Sequence, residues 1–146
     1  GNVAFIPGGF QDAVAFEYGR ECTVVAKRKG FVKYCLQHGY RLHPVYTFGE
    51  SETYYTFAWL KDFRMKVSQY NIPMIGFFGW PFFPLLPFTQ SEILTYVGRG
   101  IDLPHLPTPS SEDVEHWHGV YLDALRRLFD ERKAEAGYPE ATLEIL

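Results

Sequence analysis

The stretch NIPMIGFFGWPFFPLLPF, running from Asn71 to Phe88, restricts the possible folds of this chain more than any other. No Asp, Glu, Lys or Arg occurs between Lys66 and Glu92, and after Asn71 the indole of Trp80 is the only hydrogen-bonding side chain in the block. It has the length of a membrane span, for which about 20 apolar residues suffice. It also holds Pro73, Pro81, Pro84 and Pro87. Each interior proline removes a helical hydrogen bond and costs about 3 kcal/mol. A backbone broken in this way leaves polar groups that hydrocarbon cannot satisfy. A simple spanning helix is excluded, and the block is expected to be either a buried irregular segment or an interfacial one.

The remainder is globular in character. With 146 residues, 47% hydrophobic and 18% aromatic, the chain suffices for one domain with a real core and does not read as disordered. The net charge of −3 gives no nucleic-acid footprint, and no nucleic-acid partner is expected. The charge is uneven, with nine Lys/Arg against six Asp/Glu in residues 1–70 and four against nine in residues 110–146. The basic half suits phosphates; equally, both halves read as solvated faces. Cys22 and Cys35 form no CxxC, so neither a disulfide framework nor a zinc site is expected, and a reducing compartment fits. Gly1 opens the chain without a signal-peptide pattern, and the chain reads as a piece of something longer.

Residues 2–6 (NVAFI) read as a buried strand closed by a PGG turn, 10–19 as a helix ending at Gly19, and 22–26 (CTVVA) as a β-branched strand. A helix over 30–39 carries Phe31, Tyr34, Cys35 and His38 at three-four spacing, with Gly39 at its end. Residues 41–48 read as a strand, about 53–66 as a helix, 93–98 as a strand and RGIDLPHLPTPS as a proline-punctuated connector. The last helix is the clearest, with Ser110 as cap, Asp113 as capping-box partner and an apolar stripe of Val114, Trp117, Tyr121, Leu125 and Leu128. Gly137 and Pro139 stop it. The β-α-β-α-β order predicts an α/β fold, a layered mixed or parallel sheet with flanking helices.

Several features carry chemistry. IPGGF lets a backbone approach a ligand closely, and amides at a helix start favour an anion or a developing oxyanion; it also serves as a plain tight turn. KRKGFVK gathers Lys27, Arg28, Lys29 and Lys33, which suit phosphates of a nucleotide-like cofactor or of lipid headgroups, or a solvated helix start. Glu50 in FGESE ends a strand, at an edge where ligands gather, and it also fits an acidic capping loop. Glu115 and His118 in EHWH have a di-iron spacing but only one copy, so they read as a polar helix face and no metal site is expected. His38, His43 and His105 stand alone, without a pair or triad.

IPGGFQDAV, KRKGFVKYCLQHGYRLHPVYTFGE, YVGRGIDLP and PTPSSEDVEHWHGVYLDALRRLFDERKAEAGYP occur in the order that resembles the type-2 diacylglycerol acyltransferase family, whose relatives include monoacylglycerol and wax-alcohol acyltransferases. The likeness covers nearly the whole chain, most specifically from RKGF to FGE and least in 72–88. It implies a glycerolipid-acyltransferase-like fold and an acyl-CoA-dependent enzyme that acylates diacylglycerol to triacylglycerol. Acyl-CoA would be the co-substrate, with no resident cofactor. The implied place is the cytosolic face of the endoplasmic reticulum membrane and of lipid droplets. The resemblance carries over onto Pro7, Gly8 and Gly9 (the PGG turn), onto Arg28, Lys29, Gly30 and Phe31 (RKGF), and onto Pro44, Phe48, Gly49 and Glu50 (PxxxFGE). Apart from Pro44, these are substrate- and CoA-binding candidates: PGG amides for the thioester oxygen or a CoA phosphate, Arg28 and its lysine neighbours for CoA phosphates. Gly8→Val and Arg28→Ala are expected to lower activity without unfolding the enzyme. Phe77, Phe78, Trp80, Phe82 and Phe83 become lipid-contact candidates, lining an acyl wall or dipping into one leaflet.

The chain departs from the family pattern at His43, where the family usually has an aliphatic residue before the proline, and in two further respects. Asp12 stands where the family usually has glutamate. The His-Pro-His-Gly motif that is taken to hold the family's base is absent from these residues, so the chain is expected to be the C-terminal part of a longer acyltransferase domain, inactive by itself, and no catalytic residue is named. The other readings are a non-catalytic lipid- or acyl-CoA-binding relative and an unrelated α/β nucleotide-binding module.

Overall fold

The computed structural model describes residues 2–56, 67, 76–88 and 92–146. Three helices are described: α1 (Phe10–Ala15), α2 (Gly30–His38) and α3 (Ser111–Arg132). The strands are β1 (Cys22–Thr23), β2 (Arg41–Leu42), β3 (Val45–Phe48), β4 (Tyr55–Thr56), β5 (Phe77–Phe78), β6 (Leu94–Val97), β7 (Ile101–Asp102) and β8 (Glu144–Ile145). A 3-10 turn covers Glu50–Glu52. This mixture of helices and small sheets is compatible with an α/β class. Among the described residues the strands pair only in twos, β1–β8, β2–β7, β3–β6 and β4–β5, instead of forming one layered sheet. The β1–β8 pair is parallel, whereas β2–β7 and β4–β5 are antiparallel. Strands consecutive in the β-α-β reading do not pair with each other, because each finds its partner far along the chain.

The chain forms two compact units. The first comprises Gly1–Val25, Phe48–Ile93 and Leu143–Leu146. Its buried side chains include Val14, Ala15, Val25 and Phe48. β1 is held to β8 by the pairs Cys22–Glu144 and Thr23–Ile145, and Arg20 bridges Glu17 at 2.7 Å and also Glu144. Residues 2–6 are not the buried strand their composition predicts: they have no regular structure and are exposed, Val3 at 80%. Apolar composition marks a strand only if a partner edge is present, and no described strand pairs with this run. The helix predicted over about 53–66 does not begin at 53: Thr53 and Tyr54 lie in a bend and Tyr55–Thr56 form β4, while 57–66 fall outside the described residues.

The second unit comprises Ala26–Thr47 and Leu94–Thr142. The long helix α3 is its spine. Ser110 accepts a hydrogen bond from Asp113 N–H at 3.1 Å, and Asp113 accepts from Ser110 N–H at 2.9 Å, so the predicted capping box is present. Val114, His118, Tyr121, Leu125, Leu128 and Phe129 are buried along one face, and Tyr46 meets Phe129 edge-on at 5.0 Å. Trp117 is only half-buried, and His118 is 2% exposed, so the EHWH turn is not simply a polar face. α2 ends at Gly39 in the left-handed conformation (φ 59°), its N–H reaching the Cys35 and Leu36 carbonyls. Its buried face is Val32, Cys35 and Leu36; Tyr34 and His38, counted in the predicted stripe, are exposed. The predicted strand over 41–48 is split at His43 and Pro44, where proline contributes no ladder donor. Pro44 is fully buried, its carbonyl accepting from Gly98 N–H at 2.8 Å. The connector RGIDLP contains a strand after all, β7, which pairs with β2.

Candidate functional site

In the first unit the PGG turn is built around Asp12. Pro7 is half-buried and Gly8 buried, while Gly9 has φ 57° and precedes α1, a conformation that favours glycine. The Asp12 carboxylate accepts hydrogen bonds from Val24 N–H at 2.5 Å and from the Thr23 hydroxyl at 3.2 Å, tying α1 to β1. A β-carbon at Gly8 would collide with that carboxylate. Gly8 is therefore required by the packing of Asp12 itself, and the carboxylate makes the turn a poor place for a phosphate. A neutral thioester oxygen is not repelled in the same way.

The FGE stretch lies in the same unit. Phe48 is fully buried. Gly49 has φ 88°, and a β-carbon there would run into the Glu92 carbonyl. Glu50 then opens the 3-10 turn, and the buried Ser51 donates to Glu21 at 2.6 Å, while Gly19 N–H donates to the Ser51 carbonyl at 2.9 Å. Glu21 is 7% exposed. Partial desolvation of its carboxyl, followed by repulsion from Glu21 and then Asp12, raises the Glu50 pKa above the usual glutamate value. The PGG turn and the FGE stretch therefore meet in one acidic corner. Sequence reasoning missed the roles of Glu21, which belongs to no motif, and of Ser51, which lies within FGESE; only the fold couples them.

The apolar block belongs to this unit as well. β5 is followed by a tight loop in which Gly79 N–H reaches the Pro84 carbonyl and Trp80 N–H the Leu86 carbonyl, each at 2.9 Å. Phe77, Phe78, Trp80, Phe82 and Phe83 are all exposed, Phe82 at 79%. Residues 76–88 are thus ordered yet not core. Among the described residues, no helix is long and apolar enough to cross a membrane.

The second unit holds the RKGF segment. Lys27 and Arg28 lie in the turn before α2, and Lys33 lies on it; all three are exposed, and no described residue pairs with them. Lys29 differs, because it forms an ion pair with Glu115 of α3. That bond and the lysine charge hold the Glu115 carboxyl below its ordinary pKa. Phe31 packs edge-on against Tyr121 (5.0 Å) and meets His118 at 6.1 Å, which makes it a packing residue. A β-carbon on Gly30 would meet nothing within 4 Å, and its φ is not left-handed. Packing alone does not require glycine there. His43 donates from Nδ1 to the Gly98 carbonyl at 3.0 Å, and His38 lies among the rings of Tyr34 and Tyr40. Among the described residues no group of three or more His, Cys, Asp or Glu is arranged to hold a metal.

The chain belongs to the diacylglycerol acyltransferase family, whose sequence profile matches residues 1–146. It is similar to acyl-CoA wax alcohol acyltransferase 1 of Homo sapiens, with 37% identity over 94% of this chain and 45% of that protein. Diacylglycerol O-acyltransferase 2 of Xenopus laevis is 36% identical over 100% of this chain and 44% of its own length. 2-Acylglycerol O-acyltransferase 3 of Homo sapiens is 36% identical over 96% and 44% respectively. The chain therefore spans somewhat under half the length of the curated relatives it matches. No solved structure gives a significant match.

Proposed function

We propose that the protein to which this chain belongs is an acyl-CoA-dependent O-acyltransferase that esterifies diacylglycerol to triacylglycerol. The observation that carries this reading is the family match across residues 1–146, with relatives named for acyl transfer to diacylglycerol, 2-acylglycerol and wax alcohols. In the reaction the acceptor hydroxyl oxygen attacks the thioester carbonyl carbon. The carbon–sulfur bond breaks, the CoA thiol leaves, and the hydroxyl proton must pass to a base. No residue of this chain is assigned as that base. These residues form the C-terminal portion of a longer acyltransferase domain with a glycerolipid-acyltransferase-like layered α/β fold. Lys27, Arg28 and Lys33 hold CoA phosphates, while Lys29 is shared with Glu115. The PGG turn of the other unit is not assigned to a phosphate, since the Asp12 carboxylate repels anions. The 77–83 loop meets lipid, and the enzyme works at the cytosolic face of the endoplasmic reticulum membrane and of lipid droplets.

The test uses the full-length enzyme in microsomes with labelled palmitoyl-CoA and diacylglycerol. Triacylglycerol should form, and Arg28→Ala should raise KM for palmitoyl-CoA by about tenfold or more, the value of a lost charge-assisted hydrogen bond, with kcat little changed. A full-length enzyme that forms no acyl ester of any glyceride would overturn the reading.

A further inference from the structure

At the C-terminal end of α2 the rings of Tyr34, His38 and Tyr40 form a cluster that takes no part in the core. Tyr34 meets His38 edge-on at 4.5 Å, His38 stacks on Tyr40 at 5.4 Å with 27° between planes, and Tyr34 reaches Tyr40 at 6.1 Å. Tyr34 remains 55% and Tyr40 44% exposed. Gly39 fixes the arrangement: its left-handed conformation turns the chain so that Tyr40 comes back over His38, and its N–H is held by the helix end. The Tyr40 N–H also bonds the Cys35 carbonyl at 3.0 Å, so the turn that carries the third ring is locked.

The same helix begins in the basic segment. Lys27, Arg28 and Lys33 are exposed and unpaired with any described residue, whereas Lys29 is engaged by Glu115 and Arg41 by Asp102 at 3.2 Å. At 1.5 Å per residue, Tyr34 lies about 6 Å along the axis from the first residue of α2. Exposed aromatic rings and a set of cations that pair with no described residue therefore lie along α2 and the turn that leads into it. The charge complements an anion; the rings complement a π-face.

We infer that Tyr34, His38 and Tyr40 form a stacking platform for the adenine of an adenine nucleotide whose phosphates lie on Lys27, Arg28 and Lys33. In the proposed reaction that nucleotide is the distal half of the acyl-CoA donor, so the inference rests on the acyl-CoA reading and assigns it a base subsite. The platform contacts only the nucleotide, and the reacting thioester lies elsewhere.

The test compares palmitoyl-CoA with palmitoyl-pantetheine, a donor that keeps the thioester and lacks the nucleotide, in the full-length enzyme. Tyr34→Ala and Tyr40→Ala should each raise KM for palmitoyl-CoA by about 5- to 150-fold, the range found when a base-stacking ring is cut to alanine. KM for palmitoyl-pantetheine and both kcat values should stay within about twofold, and inhibition by adenosine 3′,5′-bisphosphate should weaken in parallel. Tyr34→Phe, which keeps the ring, should behave as the natural enzyme. Equal losses with both donors would mean that the rings support the fold alone and would overturn the platform. Unchanged KM for palmitoyl-CoA would overturn it too. If Arg28→Ala raises KM for palmitoyl-CoA while the tyrosine variants do not, the phosphate reading survives without the base subsite. If none of the three changes it, both fall.

Discussion

Replacing Gly8 with alanine tests why the PGG turn has the sequence it has. The added β-carbon would collide with the Asp12 carboxylate, which must then move away from Val24 N–H and the Thr23 hydroxyl. Val24 is buried, so its N–H would be left without water as a substitute partner. Hydrogen bonds to a charged group contribute about 1.5–3 kcal/mol each, and an orphaned buried donor costs about 1–3 kcal/mol. Because the two effects describe the same lost bond, Gly8→Ala should cost about 2–3 kcal/mol. At about 2–4 °C per kcal/mol this is a Tm drop of about 4–12 °C. Asp12→Ala removes the same acceptor and should cost a similar amount. The decisive measurement is calorimetric Tm for both single variants and the double variant. Once Asp12 is gone there is nothing for the new methyl to strike, so the double variant should be no less stable than Asp12→Ala alone. Costs that simply add would refute the claim that Gly8 is present to seat Asp12. The same geometry corrects the expectation that Gly8→Val lowers activity with the fold untouched, because any side chain at this position disturbs the tie to β1.

Three further outcomes follow from the site. Glu50 has a raised pKa in the folded chain, so its charged form is penalised there; the penalty is absent below the ordinary glutamate value of about 4.3 and complete above the raised one. Glu50→Gln should therefore raise Tm at pH 7–8, and melts repeated at falling pH should show the gain fading. Gly30→Ala should leave stability unchanged or improve it by about 0.4–1 kcal/mol, as no atom stands in the way. A stable Gly30→Ala enzyme that nonetheless uses acyl-CoA poorly would show a ligand approaching that backbone. Trp80→Ser together with Phe82→Ser removes exposed side chains, so flotation with liposomes should show weaker membrane binding, or acyl-chain preference should shift, at little change in Tm; if neither occurs, the loop's lipid role is lost.

What could be read from the chain was whatever its neighbours in sequence decide. Ser110 and Asp113 cap a helix within four residues, and Gly39 ends one by its own φ, so both boundaries were legible. Strands were legible only where a partner happened to exist. Residues 2–6 and 94–97 are similarly apolar, but only the second run forms a ladder with a described strand. β7 was hidden among prolines because its pairing with Arg41 and Leu42 lies about 60 residues away. The site divides along the same line. PGG, RKGF and FGE were visible as motifs, while the bonds that explain them, Asp12 to Val24, Ser51 to Glu21 and Lys29 to Glu115, join residues far apart in the chain and leave no local trace. His118 read as polar because its spacing from Glu115 says nothing about the Phe31 ring above it.

The parallel pair of Cys22–Thr23 with Glu144–Ile145 has a consequence for synthesis. Arg20 and its partner Glu144 are 124 residues apart, and ribosomes add about 5–20 residues per second. For roughly 6–25 s the first strand has emerged and its mate has not yet been made. During that interval β1 waits with an open edge, and any chaperone that binds this nascent chain should be found there, released once Glu144 and Ile145 have emerged to pair with it.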